Sequence, residues 1–138
     1  MPIETEPHQA KAVGHNMPVS WKDVTEIGRF LKDDSVEKAK DKLQRVIEED
    51  LAVPYTKFDS GAGHHSGSGK SRYPKNAAEE VLQVLESAES NAEHEGLNTG
   101  ALEIQKFITN QGQEMRTPGR QPGRKTKAAH LKLVVGER

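Results

Sequence analysis

The spacing of the apolar residues changes about two thirds of the way along this chain of 138 residues, and that change restricts the fold more than any other feature. In residues 1–100, three stretches carry apolar residues three or four positions apart, which is the spacing of one face of a helix. Further on, Leu102, Ile104, Lys106 and Ile108 share one parity, and residues 131–135 form a second apolar segment. The pattern predicts three helices followed by two strands.

Local signals mark where each predicted helix begins and ends. Ser20 is a candidate N-cap residue, and Asp23, three positions on, would complete a capping box. Ser35 has the same role for the second helix, and Gly96 ends the third. The predicted helices cover approximately residues 21–31, 36–49 and 75–95.

The segment between the two predicted strands, residues 109–130, holds two prolines and three glycines among basic residues. It has almost no apolar side chains to bury, so it cannot offset its own ordering entropy and is expected to become ordered against a partner. We therefore predict two antiparallel strands joined by a basic hairpin arm. From Met115 to Leu133 the sequence has no acidic residue, and its cations are Arg116, Arg120, Arg124, Lys125, Lys127 and Lys132.

The length predicts a single domain over residues 11–138, preceded by a flexible lead over residues 1–10. Residues 11–15 are a candidate short strand, and residues 50–75, which are rich in Gly, Ser and Pro, are predicted to form a long loop insertion. The chain has no cysteine, which excludes a disulfide framework and fits a reducing cytoplasm. Its apolar runs are too short to span a membrane, and its first residues lack a signal-peptide pattern, so we expect no membrane partner.

Two interpretations of the stretch GHHSGSGKS, residues 63–71, fail on spacing. A phosphate-binding P-loop requires G-x-x-x-x-G-K-[ST], but His64 occupies the position of its first glycine. His64 and His65 are adjacent, so in an extended segment their side chains point in opposite directions and rarely reach one metal ion. The carboxylates lie at spacings typical of surface ion pairs, and no nucleophile elbow is present. We predict no catalytic residue, no metal site and no cofactor, and hence a protein that is not an enzyme.

The net charge of −1 hides two regions of opposite sign. Residues 1–100 hold 12 Lys and Arg against 18 Asp and Glu, whereas residues 101–138 hold 8 against 3. Such an asymmetry predicts a localised contact with a polyanion. RNA suits the basic arm, because the arginine side chain can pair with phosphate oxygens and also stack on bases.

Several fragments in combination resemble the archaeal and eukaryotic form of large-subunit ribosomal protein L twenty-two. The fragments are MPVSWKDVTEIGRF at residues 17–30, VPY at 53–55, RYP at 72–74, NAEHEGL at 91–97 and HLKLVV at 130–135. The resemblance covers roughly residues 12–136. It implies an α+β fold, in which three helices pack on a small antiparallel sheet with a protruding basic β-hairpin.

The resemblance also implies a function. A member of this family is a structural constituent of the large ribosomal subunit that binds large-subunit rRNA, aids subunit assembly and helps line the polypeptide exit tunnel. The implied setting is a monomer within the cytoplasmic ribosome, in contact with rRNA, neighbouring ribosomal proteins and the nascent polypeptide. The alternative is an acidic helical adaptor or a non-ribosomal RNA-binding module with a basic tail.

The resemblance can be carried over to particular residues. Met115, Arg116, Arg120 and Arg124 correspond by position to the basic tip of the family's hairpin, and Lys22 matches a lysine that the family places near RNA. The arm is several residues shorter than is usual in the family. The residues expected to bind rRNA are Lys11, His15, Lys22, His64, His65, Lys70, Arg72, Tyr73, Lys75, Met115, Arg116, Arg120, Gln121, Arg124, Lys125, Lys127 and His130.

Overall fold

The computed structural model describes residues 8–32, 34–55, 63–65, 69–112, 115–116, 125–126 and 128–137. These residues form three helices, eight strands and one short 3₁₀ turn, so the α+β fold with three helices on a small antiparallel sheet is confirmed. In chain order the elements are β1 (Gln9–Met17), α1 (Trp21–Phe30), α2 (Val36–Ile47), β2 (Val53–Pro54), β3 (Gly63–His65), β4 (Gly69–Arg72), α3 (Lys75–His94), the 3₁₀ turn (Thr99–Ala101), β5 (Leu102–Gln111), β6 (Met115–Arg116), β7 (Lys125–Thr126) and β8 (Ala129–Glu137).

The main sheet consists of β1, β8 and β5 in that order, and both pairs are antiparallel. The predicted pairing of the last two long strands is therefore confirmed, and β8 is the central strand. The first strand is longer than predicted, because it begins at Gln9, which pairs with Gly136. Residues 9 and 10, predicted to be part of the flexible lead, belong to the sheet; residues 1–7 lie outside the described part of the chain.

The three helices begin close to their predicted positions, but only one predicted side-chain cap is formed. Ser35 Oγ accepts a hydrogen bond from Lys38 N over 3.3 Å, as expected of an N-cap serine. Ser20 occupies the N-cap position of α1, yet its side chain makes no cap hydrogen bond to the described first turn. The predicted capping box is wrong, because the Ser20 side chain does not take its part in it; the Asp23 carboxylate accepts a hydrogen bond from the Tyr55 hydroxyl.

The segment predicted as a loop insertion, residues 50–75, contains a second small sheet. Its strands are arranged in the order β2-β4-β3, and both pairs are antiparallel. Val53, Tyr55 and Ser71 are buried, so this segment contributes side chains to the interior although it has few aliphatic residues. Pro54 lies on the edge strand β2, where a missing N–H costs the ladder least.

The core lies between α1, α3 and the inner face of the main sheet, which is the face turned toward the helices. Small residues let α3 lie close to β1. Ala10 and Ala12 are buried on the strand, and a Cβ atom at Gly14 would lie 2.6 Å from Met17 Sδ and 2.9 Å from Val84 Cγ2. Larger side chains at these positions would force the helix away from the sheet.

A β-bulge in β5 changes which side chains face the core. Ile104 pairs with Val135 and is buried, but the next paired residue is Lys106, so Gln105 is the extra residue of the bulge. Beyond it the parity is reversed: Phe107 packs against the core and Ile108 is 40% exposed. The prediction that Leu102, Ile104 and Ile108 share one face is therefore wrong for Ile108.

The antiparallel pairing extends beyond the main sheet toward the predicted arm. Gly112 N donates a hydrogen bond to Ala128 O over 2.9 Å, and β6 pairs with β7 with Met115 opposite Thr126. The protrusion of the hairpin stays a prediction, since residues 117–124 lie outside the described residues. In the part of the chain that is described, no helix has both the length and the apolar character that a membrane crossing requires.

Candidate nucleic-acid interface

The outer face of the main sheet, which is turned away from the helices, collects polar and basic side chains from all three strands. Strand register defines this face, because directly opposed residues of an antiparallel pair project to the same side. By register its members are Gln9, Lys11 and Val13 of β1, Glu103, Lys106, Ile108 and Asn110 of β5, and His130, Lys132, Val134 and Gly136 of β8. His15 of β1 joins them, because its ring stacks on that of His130.

Lysines and aliphatic residues alternate across the outer face in two neighbouring rows. In one row Val134 lies between Lys11 and Lys106, and in the next row Lys132 lies between Val13 and Ile108. Val134 is fully buried although it is outside the main core cluster, as expected when long lysine side chains flank a small aliphatic one. The rows place three ammonium groups on one face.

Two histidines lie at the end of the outer face from which the arm departs. The rings of His15 and His130 are stacked, with centroids 4.4 Å apart and an angle of 26° between their planes. His130 Nδ1 accepts a hydrogen bond from Asn16 N over 3.2 Å, so the proton of a neutral ring lies on Nε2, where it can be donated to a ligand. Asn16 has a positive φ of 50°, in the irregular stretch that separates Gly14 from Met17 in the β1–β8 register.

A second group of candidate residues lies between the small sheet and α3. The Arg72 guanidinium lies over the Tyr55 ring, 5.5 Å from its centroid, and Lys75 Nζ is 3.0 Å from Glu49 Oε1. Tyr73 and Lys75 line a groove of about 570 Å³ beside the start of α1. Arg72 and Lys75 thus each have an acceptor within the protein, which holds them in place at this surface.

The remaining predicted residues are described only in part. His64, His65 and Lys70 belong to strands β3 and β4, and Met115, Arg116 and Lys125 belong to β6 and β7, with only their backbone pairing described. Lys22 is exposed on α1. Outside the described residues lie Arg120, Gln121, Arg124 and Lys127.

The pairing of strand β4 agrees with the exclusion of a P-loop in residues 63–71. Lys70 and Ser71 pair with His64 and Gly63 in an antiparallel ladder, so their backbone N–H groups are not arranged around a phosphate. Among the described residues, no group of three or more His, Asp or Glu side chains is placed to hold a metal ion.

The structure brings together residues that are far apart in the sequence. Of the predicted rRNA-binding residues, Lys11, His15 and His130 share the outer face. Lys106 and Lys132 belong to the same face and were not among the predicted binding residues. Lys132 could have been found from the alternation in HLKL, residues 130–133. Leu131 and Leu133 are core residues, so His130 and Lys132, which alternate with them, face the other side of the sheet.

Carboxylates are concentrated on and beside helix α3. Five glutamates lie on helix α3 and a sixth directly follows it, and none of the six is fully buried: Glu79, Glu80, Glu86, Glu89, Glu93 and Glu95. Glu89 Oε2 lies 2.8 Å from Lys40 Nζ, which links α3 to α2. On the described outer face, by contrast, Glu103 is the one carboxylate against three lysines. The protein therefore has a basic sheet side and an acidic helical side.

Comparison with known proteins gives a consistent result. The model of the family described as ribosomal protein L22p/L17e matches residues 12–135. A protein of Methanosphaera stadtmanae named large ribosomal subunit protein uL22 is 38% identical over 136 residues, which cover 93% of this chain and 88% of that protein. Proteins of the same name from Thermoplasma acidophilum and Methanopyrus kandleri are both 34% identical, covering 98% and 94% of this chain and 93% and 87% of their own lengths.

Proposed function

Because the chain belongs to the ribosomal protein L22p/L17e family, we propose that it is a structural, non-catalytic component of the large subunit of the cytoplasmic ribosome. Its partners there are large-subunit rRNA and neighbouring ribosomal proteins. The relatives that carry the name of a large-subunit protein match over nearly their whole length, so the proposal concerns the whole chain.

We propose further that the protein binds rRNA mainly through the basic arm. The observation that carries this proposal is the division of charge: six cations and no acid lie between Met115 and Leu133, while acidic side chains populate the helices. Lys and Arg side chains that neutralise phosphates release condensed counterions, so affinity falls steeply as the salt concentration rises. The acidic helical side is repelled by phosphate and faces solvent or neighbouring proteins.

Two finer roles follow from the same proposal. By holding separate rRNA segments, the arm and the segment around Arg72 and Tyr73 aid assembly of the subunit. The arm also helps to line the polypeptide exit tunnel and contacts the nascent chain as a monomer within the ribosome. The antiparallel pairing of β6 with β7 supports an arm that continues the main sheet.

The experiment that tests the proposal replaces Arg116, Arg120 and Arg124 together with alanine. We expect the isolated protein to stay folded, since the arm has little to bury, and its incorporation into large subunits to fall. Co-sedimentation with large subunits through a moderate-salt wash measures incorporation. A matched control removes the same charge from exposed helical and flanking positions: Lys32, Lys38 and Arg45, each replaced with alanine.

Three outcomes can be distinguished. Loss of incorporation only in the arm variant supports the arm as the anchor, whereas normal incorporation of that variant contradicts it. Equal affinity of the unmodified protein for rRNA and unrelated RNA in a filter-binding assay would favour a general RNA-binding module instead.

A further inference from the structure

We propose that the outer face of the main sheet is itself an RNA-binding surface, in which the stacked pair His15–His130 receives an unstacked base and Lys11, Lys106 and Lys132 contact the adjoining phosphates. The inference rests on the proposed function and adds a second rRNA contact, separate from the arm. The partner is an RNA segment with at least one base turned out of its helix.

The histidine pair has the geometry of a stacking platform. The two rings already overlap at a centroid distance of 4.4 Å, so a base placed on the exposed ring of His15 continues an existing stack. The hydrogen bond from Asn16 N fixes the orientation of the His130 ring before RNA binds. A base therefore meets a ring pair that is already ordered, which lowers the entropy lost on binding.

A polar groove adjoins this platform. His15 also borders a groove of about 260 Å³ between β1 and α3, to which α3 contributes Glu80, Gln83 and Ser87. Carboxylate, amide and hydroxyl groups can all form hydrogen bonds to base edges, which supplies a means of discriminating between bases.

The lysine positions supply the electrostatic part of the surface. Lys11, Lys106 and Lys132 come from three different strands, so their ammonium groups spread over the width of the sheet. The described acid of this face, Glu103, lies at the end of β5 away from the histidines. Lys132 lies two positions from His130 on the same face of β8, so a cation adjoins the histidine pair, and an RNA strand can pass from there to the start of the arm.

RNA fits this face better than a protein partner does. The exposed aliphatic side chains are Val13, 55% exposed, and Ile108, 40% exposed, and Lys132 separates them in the sheet. A protein interface of ordinary size needs a contiguous apolar centre depleted of charge, which this arrangement lacks. Aromatic rings among dispersed cations on an open sheet are instead typical of RNA-binding sheets.

The test measures binding of the full chain to a short single-stranded RNA that carries 2-aminopurine, a fluorescent base whose emission is quenched when it stacks. The same sequence as a blunt duplex is the comparison ligand. Four single variants are compared: His15→Ala, His15→Phe, Lys106→Gln and, as a control on the acidic side, Lys38→Gln. Thermal unfolding of each variant verifies that the fold is retained.

The expected results separate stacking from charge. His15→Ala abolishes the quenching and weakens binding of the single strand by about five- to a hundredfold, the usual effect of losing one base stack. His15→Phe, which keeps an aromatic ring at this position, retains both the quenching and the affinity of the unmodified protein. Lys106→Gln keeps the quenching but lowers the slope of log affinity against log salt by about 0.7, and Lys38→Gln changes neither.

Two results overturn the inference, and they differ in what they say about the proposed function. In the first, quenching and affinity are unchanged in His15→Ala, and affinity is lost when the three arm arginines are replaced; rRNA binding then belongs to the arm and not to the outer face. If the unmodified chain binds neither the oligonucleotide nor transcribed large-subunit rRNA, the proposed function fails as well.

Discussion

The hydroxyl of Tyr55 donates a hydrogen bond to Asp23 Oδ1 over 2.7 Å, which fastens the end of β2 to the first turn of α1. Tyr55 is only 4% exposed, and its ring lies under the guanidinium of Arg72. One side chain therefore holds together the helix layer and the segment that carries Arg72 and Tyr73, both candidate rRNA-binding residues.

Replacing Tyr55 with phenylalanine should lower the free energy of unfolding by about 1.5–3 kcal/mol, because a hydrogen bond to a charged group is lost. Urea unfolding of the two proteins measures the difference. A double-mutant cycle with Asp23→Ala isolates the pair: the two changes should be strongly non-additive. Additive effects would mean that Tyr55 stabilises the protein through packing alone.

Stability should also decrease in alkali through the same residue. Burial, and then the hydrogen bond to Asp23, raise the pKa of Tyr55 above its ordinary value. The unfolded chain loses this proton near pH 10, whereas the folded chain keeps it, so the contribution is complete below about pH 10 and is lost as the pH rises further. Unfolding free energies measured on both sides of that pH should fall more steeply for the unmodified protein than for Tyr55→Phe. Parallel curves would contradict the assignment.

Gly28→Ala should destabilise the protein although alanine favours helices. A Cβ atom at Gly28 would lie 2.4 Å from Phe107 Cδ1 and 2.6 Å from Cε1. Helix propensity favours the substitution by about 1 kcal/mol, but overpacking costs about 1–3 kcal/mol, so we expect a net loss measured by thermal or urea unfolding. In a Phe107→Ala background the clash is absent, and Gly28→Ala should then stabilise. A loss of the same size in both backgrounds would rule out Phe107 as the cause.

The β-bulge at Gln105 can be tested with a pair of matched substitutions. Ile104→Ala removes a buried side chain and should cost about 2–5 kcal/mol, whereas Ile108→Ala removes an exposed one and should cost within about 0.5 kcal/mol. Urea unfolding of the two variants compares them directly. Similar large losses of stability at both positions would indicate that the strand has no bulge and that Ile104 and Ile108 both face the core.

Part of the candidate interface could be identified before the structure. Lys11, His15 and His130 were predicted to bind rRNA, but nothing in the sequence indicated that His15 and His130 stack. Their contact depends on the register of β1 against β8, which joins residues 115 positions apart. The sequence alone did not predict Lys106 as a member of the outer face, because its parity places it with the core residues Leu102 and Ile104. The bulge at Gln105 reverses that parity and turns Lys106 to the outer face.

Local sequence patterns were enough to predict the three helices and the pairing of the last two long strands, because apolar periodicity and caps such as Ser35 act between residues a few positions apart. Three features became visible only in the folded chain: where β1 joins the sheet, where β5 bulges, and the small sheet formed by β2, β4 and β3 within residues 50–75. Those features depend on contacts between segments that are far apart in the sequence, and the energies of such contacts cannot be read from local sequence patterns. The same contacts separate the basic sheet side from the acidic helical side.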